Sequence, residues 1–220
     1  MNRSSVRRFV GLDLGQARDF TALAVLERPL VGPHDPPARR RPAYALRYLR
    51  RLPLGTPYPE VVRWVVTLLQ TPALSGATLG VDQTGVGRAV VDMLADSLRG
   101  RADCLLFPVT LTAGQAVTGG EGGCLHVPKR ELVGTLQLLL QTRRLHIARA
   151  LAESALLVDE LGNFRVKITA ARHEVFQSWR AGQHDDLVLA VALAAWLGEQ
   201  ALPAPGEGPD DPVFEQIIIA

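Results

Sequence analysis

The chain has 220 residues, is 47% hydrophobic by count, and carries a formal net charge of +2. That length suits one domain with ample core. The charge is far from that of a strongly basic nucleic-acid module, although an acidic metal site would offset basic residues elsewhere. Cys104 and Cys124 are the only cysteines and have no CxxC partner, which argues against zinc and favours a reduced cytoplasmic protein over one with a single disulfide. The opening MNRSSVRRFVGLDLG lacks the apolar run of a signal peptide. The longest apolar stretch, Leu187–Leu197, falls short of the about 20 residues a bilayer span needs, so no membrane partner is expected.

In chain order, Phe9–Leu14 reads as a buried strand, Gly15–Asp19 as a turn and Thr21–Glu27 as the second strand of a hairpin. Val31–Pro42 is a Pro- and Arg-rich loop, and Tyr44–Leu52 a third strand. Pro59 opens a helix carried by Val61, Val62, Val65, Leu68 and Leu69 and stopped by Pro72. Ala77–Asp82 is a short strand, Gly85 and Gly87 form a turn, and Arg88–Leu98 is an amphipathic helix. Cys104–Leu111 is the next strand, and the Gly-rich segment 118–123 a flexible loop. Pro128 opens a helix running to about Thr142. Leu145–Ile147 is a short strand, Ala150–Leu161 a helix, Phe164–Thr169 a strand and Asp185–Gln200 a strongly apolar helix. Meandering strands followed by strand–helix alternation predict an α/β fold, a mixed sheet flanked by helices. It forms one domain over 1–202, with an extended or disordered tail over 203–220.

Aspartates end three of the apolar elements. Asp13 lies in GLDLG, Asp82 closes GVD, and Asp185 and Asp186 open the last helix. An ionised carboxylate in an apolar strand is costly unless it is paired or bound to a cation. Mg²⁺ or Mn²⁺ supplies such a cation, because hard ions take carboxylate and water oxygens. Two ions about 4 Å apart activate a water and stabilise the leaving oxygen of a phosphodiester. Each aspartate also has a plainer reading. Asp13 and Asp82 can bond their own turns, and Asp185 can cap its helix, with Asp186 beside the positive helix end. Adjacent positions on a helix point to different faces. One of the pair is therefore expected to bind metal, and the other to bind a second ion or serve as the cap.

The stretches GLDLGQARDFTALAVLE (11–27), GVDQTGVGRAVVDML (80–94), LLVDELGNF (156–164) and HDDLVLAVALA (184–194) together resemble the nuclease domain of tailed-phage terminase large subunits over about residues 8–200. The resemblance implies a ribonuclease H-like fold and divalent-metal hydrolysis of double-stranded DNA during genome packaging in the host cytoplasm. It implies Asp13, Asp82, Asp185 and Asp186 as metal ligands; a central strand position would let Asp13 bridge two ions. It implies the portal and the small terminase subunit as partners, and a packaging ATPase domain. This sequence has no G-x-x-x-x-G-K-S/T loop, since neither Lys129 nor Lys167 follows glycine. It is therefore an excised domain or a stand-alone relative. Asp19, within the first stretch, reads as a turn residue.

Lys129 and Arg130 are the preferred phosphate contacts, because they open a helix whose free N–H groups also favour anions. Arg143, Arg144, Arg39–Arg41, Arg50, Arg51 and Arg172 are further candidates, most of them expected to be solvated surface. His184 can shuttle a proton or be structural. Three alternatives stay open: a junction-resolvase type of ribonuclease H-like nuclease, an actin- or sugar-kinase-like ATPase domain, and a non-catalytic DNA-binding module.

Overall fold

The computed structural model describes residues 6–15, 19–30, 42–85, 88–168, 174–178 and 184–200, with backbone alone for 165–168 and 174–178. Residues 31–41 of the Pro/Arg-rich loop, Gly87, Arg39–Arg41, Arg172 and the tail from 203 lie outside them.

Eight strands form one mixed sheet. In chain order they are β1 (Val6–Asp13), β2 (Ala22–Pro29), β3 (Tyr44–Arg51), β4 (Ala77–Asp82), β5 (Cys104–Thr112), β6 (Thr118–Gly119), β7 (Leu125–Pro128) and β8 (Leu145–Ile147). Across the sheet the order is β6-β7-β5-β4-β1-β2-β3-β8. β1 sits in the middle, antiparallel to β2 and parallel to β4. Helices α1 (Tyr58–Leu69) and α2 (Arg88–Leu98) cover one face, and α3 (Lys129–Gln141), α4 (Ser154–Asn163) and α5 (Asp186–Glu199) the other. This is the expected α/β class. The remaining strands, β9 (Phe164–Ile168) and β10 (Glu174–Ser178), pair with each other as a separate antiparallel hairpin.

Alternation along β1 divides it between the two layers. Val10, Leu12 and Leu14 pack with α1 and α2, while Phe9 packs with α5. Covered faces on both sides explain why the strand reads as continuously apolar. The α5 face carries a notch, because Gly11 of β1 and Gly80 of β4 are register partners. Helix α5 lies in it. A Cβ on Gly11 would run into the Ala190 carbonyl oxygen and stand 2.8 Å from Ala194 N, and one on Gly80 would stand 2.7 Å from Leu197 Cδ1. Residues Asp186 through Gly198 of α5 are all buried, so it is apolar all round. Leu193, Trp196 and Leu197 are each about 1% exposed, and each contributes about 2 kcal/mol through burial.

Four elements differ from expectation. β7 (Leu125–Pro128) was not expected as a strand; it pairs parallel with β5, and Pro128 ends it rather than opening α3. β10 went unread because its adjacent Val175 and Phe176 give no two-residue alternation. α4 starts at Ser154 rather than Ala150, after two tight turns closed by Leu151 N–H to Ala148 and Ser154 N–H to Leu151. The Gly-rich segment 118–123 holds the short β6 and a single 3-10 turn.

The end of α3 is closed by backbone bonds from Arg143 N–H to Leu140 and from Arg144 N–H to Leu139, with Arg143 at φ +55°. This is the left-handed closure that glycine usually provides. Arg143→Gly should therefore raise stability by about 1 kcal/mol in urea unfolding. Gly11→Ala should cost about 3 kcal/mol or more by forcing α5 off the sheet, measured as a lower denaturation midpoint or loss of folded protein.

Candidate active site

Asp13 and Asp82 each end a strand, and they are register partners across the parallel β1–β4 pair. Strand spacing of about 4.8 Å forces the two carboxylates together. Both follow the glycine pair by two residues, so both point to the α5 side. There the first turn of α5 brings Asp185 and Asp186. All four aspartates line one cleft of about 760 Å³, together with Asp19, Thr84, the 111–115 segment, Lys129 and Arg130.

Asp82 is 6% exposed, and its Oδ1 accepts the Thr84 N–H at 2.8 Å. It therefore ties its own turn while facing the cleft. The turn after Asp13 is held differently. The Thr21 hydroxyl accepts the Gly15 N–H at 3.2 Å, and Tyr58 Oη donates to the Gly15 carbonyl at 3.3 Å. Asp185, at the N-cap of α5, makes no side-chain cap bond; its Oδ2 faces Lys129 Nζ at 3.3 Å. Asp186 is 3% exposed, and its Oδ2 lies 2.9 Å from Arg51 Nη2. That oxygen is buried, and this ion pair is its contact with a cation, with no hydrogen-bond partner beside it among the described residues.

This electrostatic setting favours a cation. Burial pushes the Asp13 carboxyl well above its ordinary value, and the charges of Asp82, Asp186 and Asp185 push it further, against Lys129. Burial also raises Asp82, against the Thr84 hydrogen bonds, and raises Asp186, against Arg51. Hard carboxylate oxygens with an open buried position suit Mg²⁺ or Mn²⁺. Among the described residues, no three His, Cys, Asp or Glu side chains already stand close enough to enclose an ion. The four carboxylates share the cleft, and two of them are paired with cations.

The basic candidates separate. Lys129 and Arg130 line the cleft, with Arg130 anchored on the side chain and carbonyl of Gln115. Arg51 is no surface phosphate contact. It is part-buried between Glu160 and Asp186, with its guanidinium 4.7 Å from the Phe20 ring centre. Arg144 lies at the opposite end of α5, making two bonds to Glu199, at 2.7 and 2.9 Å, and one to the Pro42 carbonyl. Neither Arg143 nor Arg144 lines the cleft. His184 packs its ring edge-on against Phe20, 4.6 Å between centres. Sequence reasoning missed Glu160, a 7% exposed carboxylate one turn after the fully buried Leu157. Its sequence signal is faint, one acid on the apolar side of a short helix, weaker than Asp13 in its apolar strand.

Comparison with solved structures bears on the fold. The large terminase nuclease of thermophilic phage G20c is 21% identical, with a TM-score of 0.57, over 87% of this chain and 82% of its own. The human cytomegalovirus terminase nuclease domain, in a Mn-soaked structure, is 12% identical with a TM-score of 0.53, over 88% of this chain and 84% of its own. The chain has the ribonuclease H-like fold of the terminase nucleases. The HK97 bacteriophage large terminase, 15% identical with a TM-score of 0.52, is matched over 87% of this chain but only 39% of its own. The terminase nuclease fold thus occupies part of that longer protein. No protein-family model and no curated protein matches the sequence.

The raised carboxyls predict an unusual pH dependence. Above the ordinary value of 3.8 the unfolded chain has released the Asp13 proton while the folded chain still holds it. The folded form then binds more protons, so its stability falls as pH rises toward the raised value. Asp13→Asn should flatten this fall and raise the melting temperature of metal-free protein at pH 7. A lower melting temperature at pH 7 would contradict the reading.

Proposed function

We propose that this chain is a divalent-metal-dependent endonuclease that hydrolyses phosphodiester bonds of double-stranded DNA, as the nuclease domain of a packaging terminase large subunit. The observation that carries the reading is the register pairing of Asp13 with Asp82 beneath the Asp185–Asp186 start of α5. The likeness in fold to terminase nucleases, one of them soaked with Mn, supports it.

Asp13, Asp82 and Asp185 or Asp186 would hold Mg²⁺ or Mn²⁺, with room in the set for two ions. When bound, such ions supply an activated water and stabilise the departing 3′ oxygen. The chain's own residues do the rest. Asp13 and Asp82 gather negative charge at one point, which excludes the phosphate until cations neutralise it. Lys129 and Arg130 stand on the cleft at the N-terminus of α3, where unpaired backbone N–H groups also attract a phosphate. Affinity would rest on phosphate contacts and fall with salt. In the packaging setting the partners would be the portal, the small subunit and an ATPase domain, in the host cytoplasm.

Plasmid cleavage with Mn²⁺ or Mg²⁺ tests the reading. Wild type should cut, and Asp82→Ala and Asp186→Ala should each lose more than about 100-fold in rate, beyond what losing an outer partner costs. Equal rates for wild type and variants would sink the assignment. Faster cutting of four-way junctions than of duplex would favour the resolvase alternative. Lys129→Ala should weaken DNA binding across sequences and reduce the salt slope by about 1.

A further inference from the structure

Helix α5 begins without a cap of its own. Asp185 occupies the N-cap position, yet its side chain makes no cap bond and turns to Lys129 in the cleft. The missing cap comes from another helix. Glu160 Oε2, from α4, accepts the N–H groups of Leu187 at 3.1 Å and Val188 at 3.3 Å. These are the second and third residues of α5, the donors an N-cap side chain ordinarily takes. The other Glu160 oxygen bonds Arg51 Nη2, the same nitrogen that stands 2.9 Å from Asp186 Oδ2. Arg51 is further pinned by the Phe20 ring.

We propose that Glu160 is a positioning residue of the metal site, which carries the N-terminus of α5 and neutralises Arg51, so that Asp186 is held in place while its charge stays available to a cation. The inference rests on the nuclease reading above. Two consequences follow from one carboxylate. By capping α5 from outside, Glu160 releases Asp185 from that duty and lets it face the cleft. By taking up the charge of Arg51, it prevents a part-buried guanidinium from cancelling Asp186. Without Glu160 the whole positive charge of Arg51 falls on Asp186, and a divalent ion meets a neutralised ligand. Outer partners of this kind set both the aim and the charge of a ligand.

Three variants separate this role from a merely structural one: Glu160→Gln, Arg51→Gln and the double variant. The readouts are Mn²⁺ affinity by titration calorimetry, kcat and KM for plasmid cleavage with Mn²⁺, and melting temperature. Glu160→Gln should weaken Mn²⁺ binding about tenfold and lower kcat, with little change in KM for DNA. The double variant should regain most of the lost Mn²⁺ affinity, because it removes the uncompensated charge. A purely structural role predicts the reverse, a second lesion binding Mn²⁺ no better than the first. Wild-type affinity in Glu160→Gln, or no recovery in the double variant, overturns the proposal. If Glu160→Gln does not fold, Arg51→Gln decides: it should bind Mn²⁺ at least as tightly as wild type yet turn over more slowly, and weaker binding overturns the proposal. A wild type that neither binds Mn²⁺ nor cuts DNA brings down the nuclease reading and this inference with it. Mn²⁺ binding and cleavage that Glu160→Gln leaves intact bring down this inference alone.

Discussion

Where Ala190 of α5 meets Gly11 of β1, a helix backbone rests directly on a strand backbone. No side chain separates them, and Gly80 extends the gap to the neighbouring strand. Ordinary helix-on-sheet packing would hold α5 a side chain further out. The close seat lowers its first turn to the level of the strand ends, where Asp13 and Asp82 stand two residues beyond the glycines. The cleft is thus a consequence of missing Cβ atoms. The same seat explains why α5 has no polar face, since the sheet lies beneath it and α3 and α4 pack beside it.

That geometry has an electrostatic cost. Four carboxylates converge at the end of a buried helix; burial raises three of them, and repulsion from neighbouring carboxylates adds to it at Asp13 and Asp186. The chain answers with positive charge from two directions. Lys129 comes from the start of α3 to Asp185, and Arg51 comes from the end of β3 to Asp186. Glu160 in turn answers Arg51. The proposed metal would enter a site whose excess negative charge is only partly met by the protein, the condition under which a hard cation binds.

Much of this was legible in the sequence, for a specific reason. The buried half of β1 and all of β4 run apolar into a closing aspartate, and the apolar α5 opens on one; such a carboxylate demands an explanation from local sequence alone. Asp13, Asp82, Asp185 and Asp186 stand out for that reason, and the structure gathers them on one cleft. Lys129 and Arg130 were singled out by their place at a helix start, and they line the same cleft. The arginines were harder. Arg51 and Arg144 read as surface charge, because their partners Glu160, Asp186 and Glu199 lie 55 to 135 positions away in the chain. Glu160 was hidden within a short amphipathic helix, where one acid on the buried side looks like a fluctuation of the pattern. Sequence periodicity reports what a residue's own element buries; it is silent about what a distant element brings to meet it.

The central claim is that Asp13 and Asp82, with the start of α5, form a divalent-cation site. Anomalous diffraction from crystals soaked in Mn²⁺, at a concentration that supports DNA cleavage, tests it most directly. The account predicts a Mn²⁺ peak within coordination distance of both Asp13 and Asp82, lost in Asp82→Ala crystals. A crystal of active protein with no peak there, or with its Mn²⁺ bound elsewhere, would contradict it.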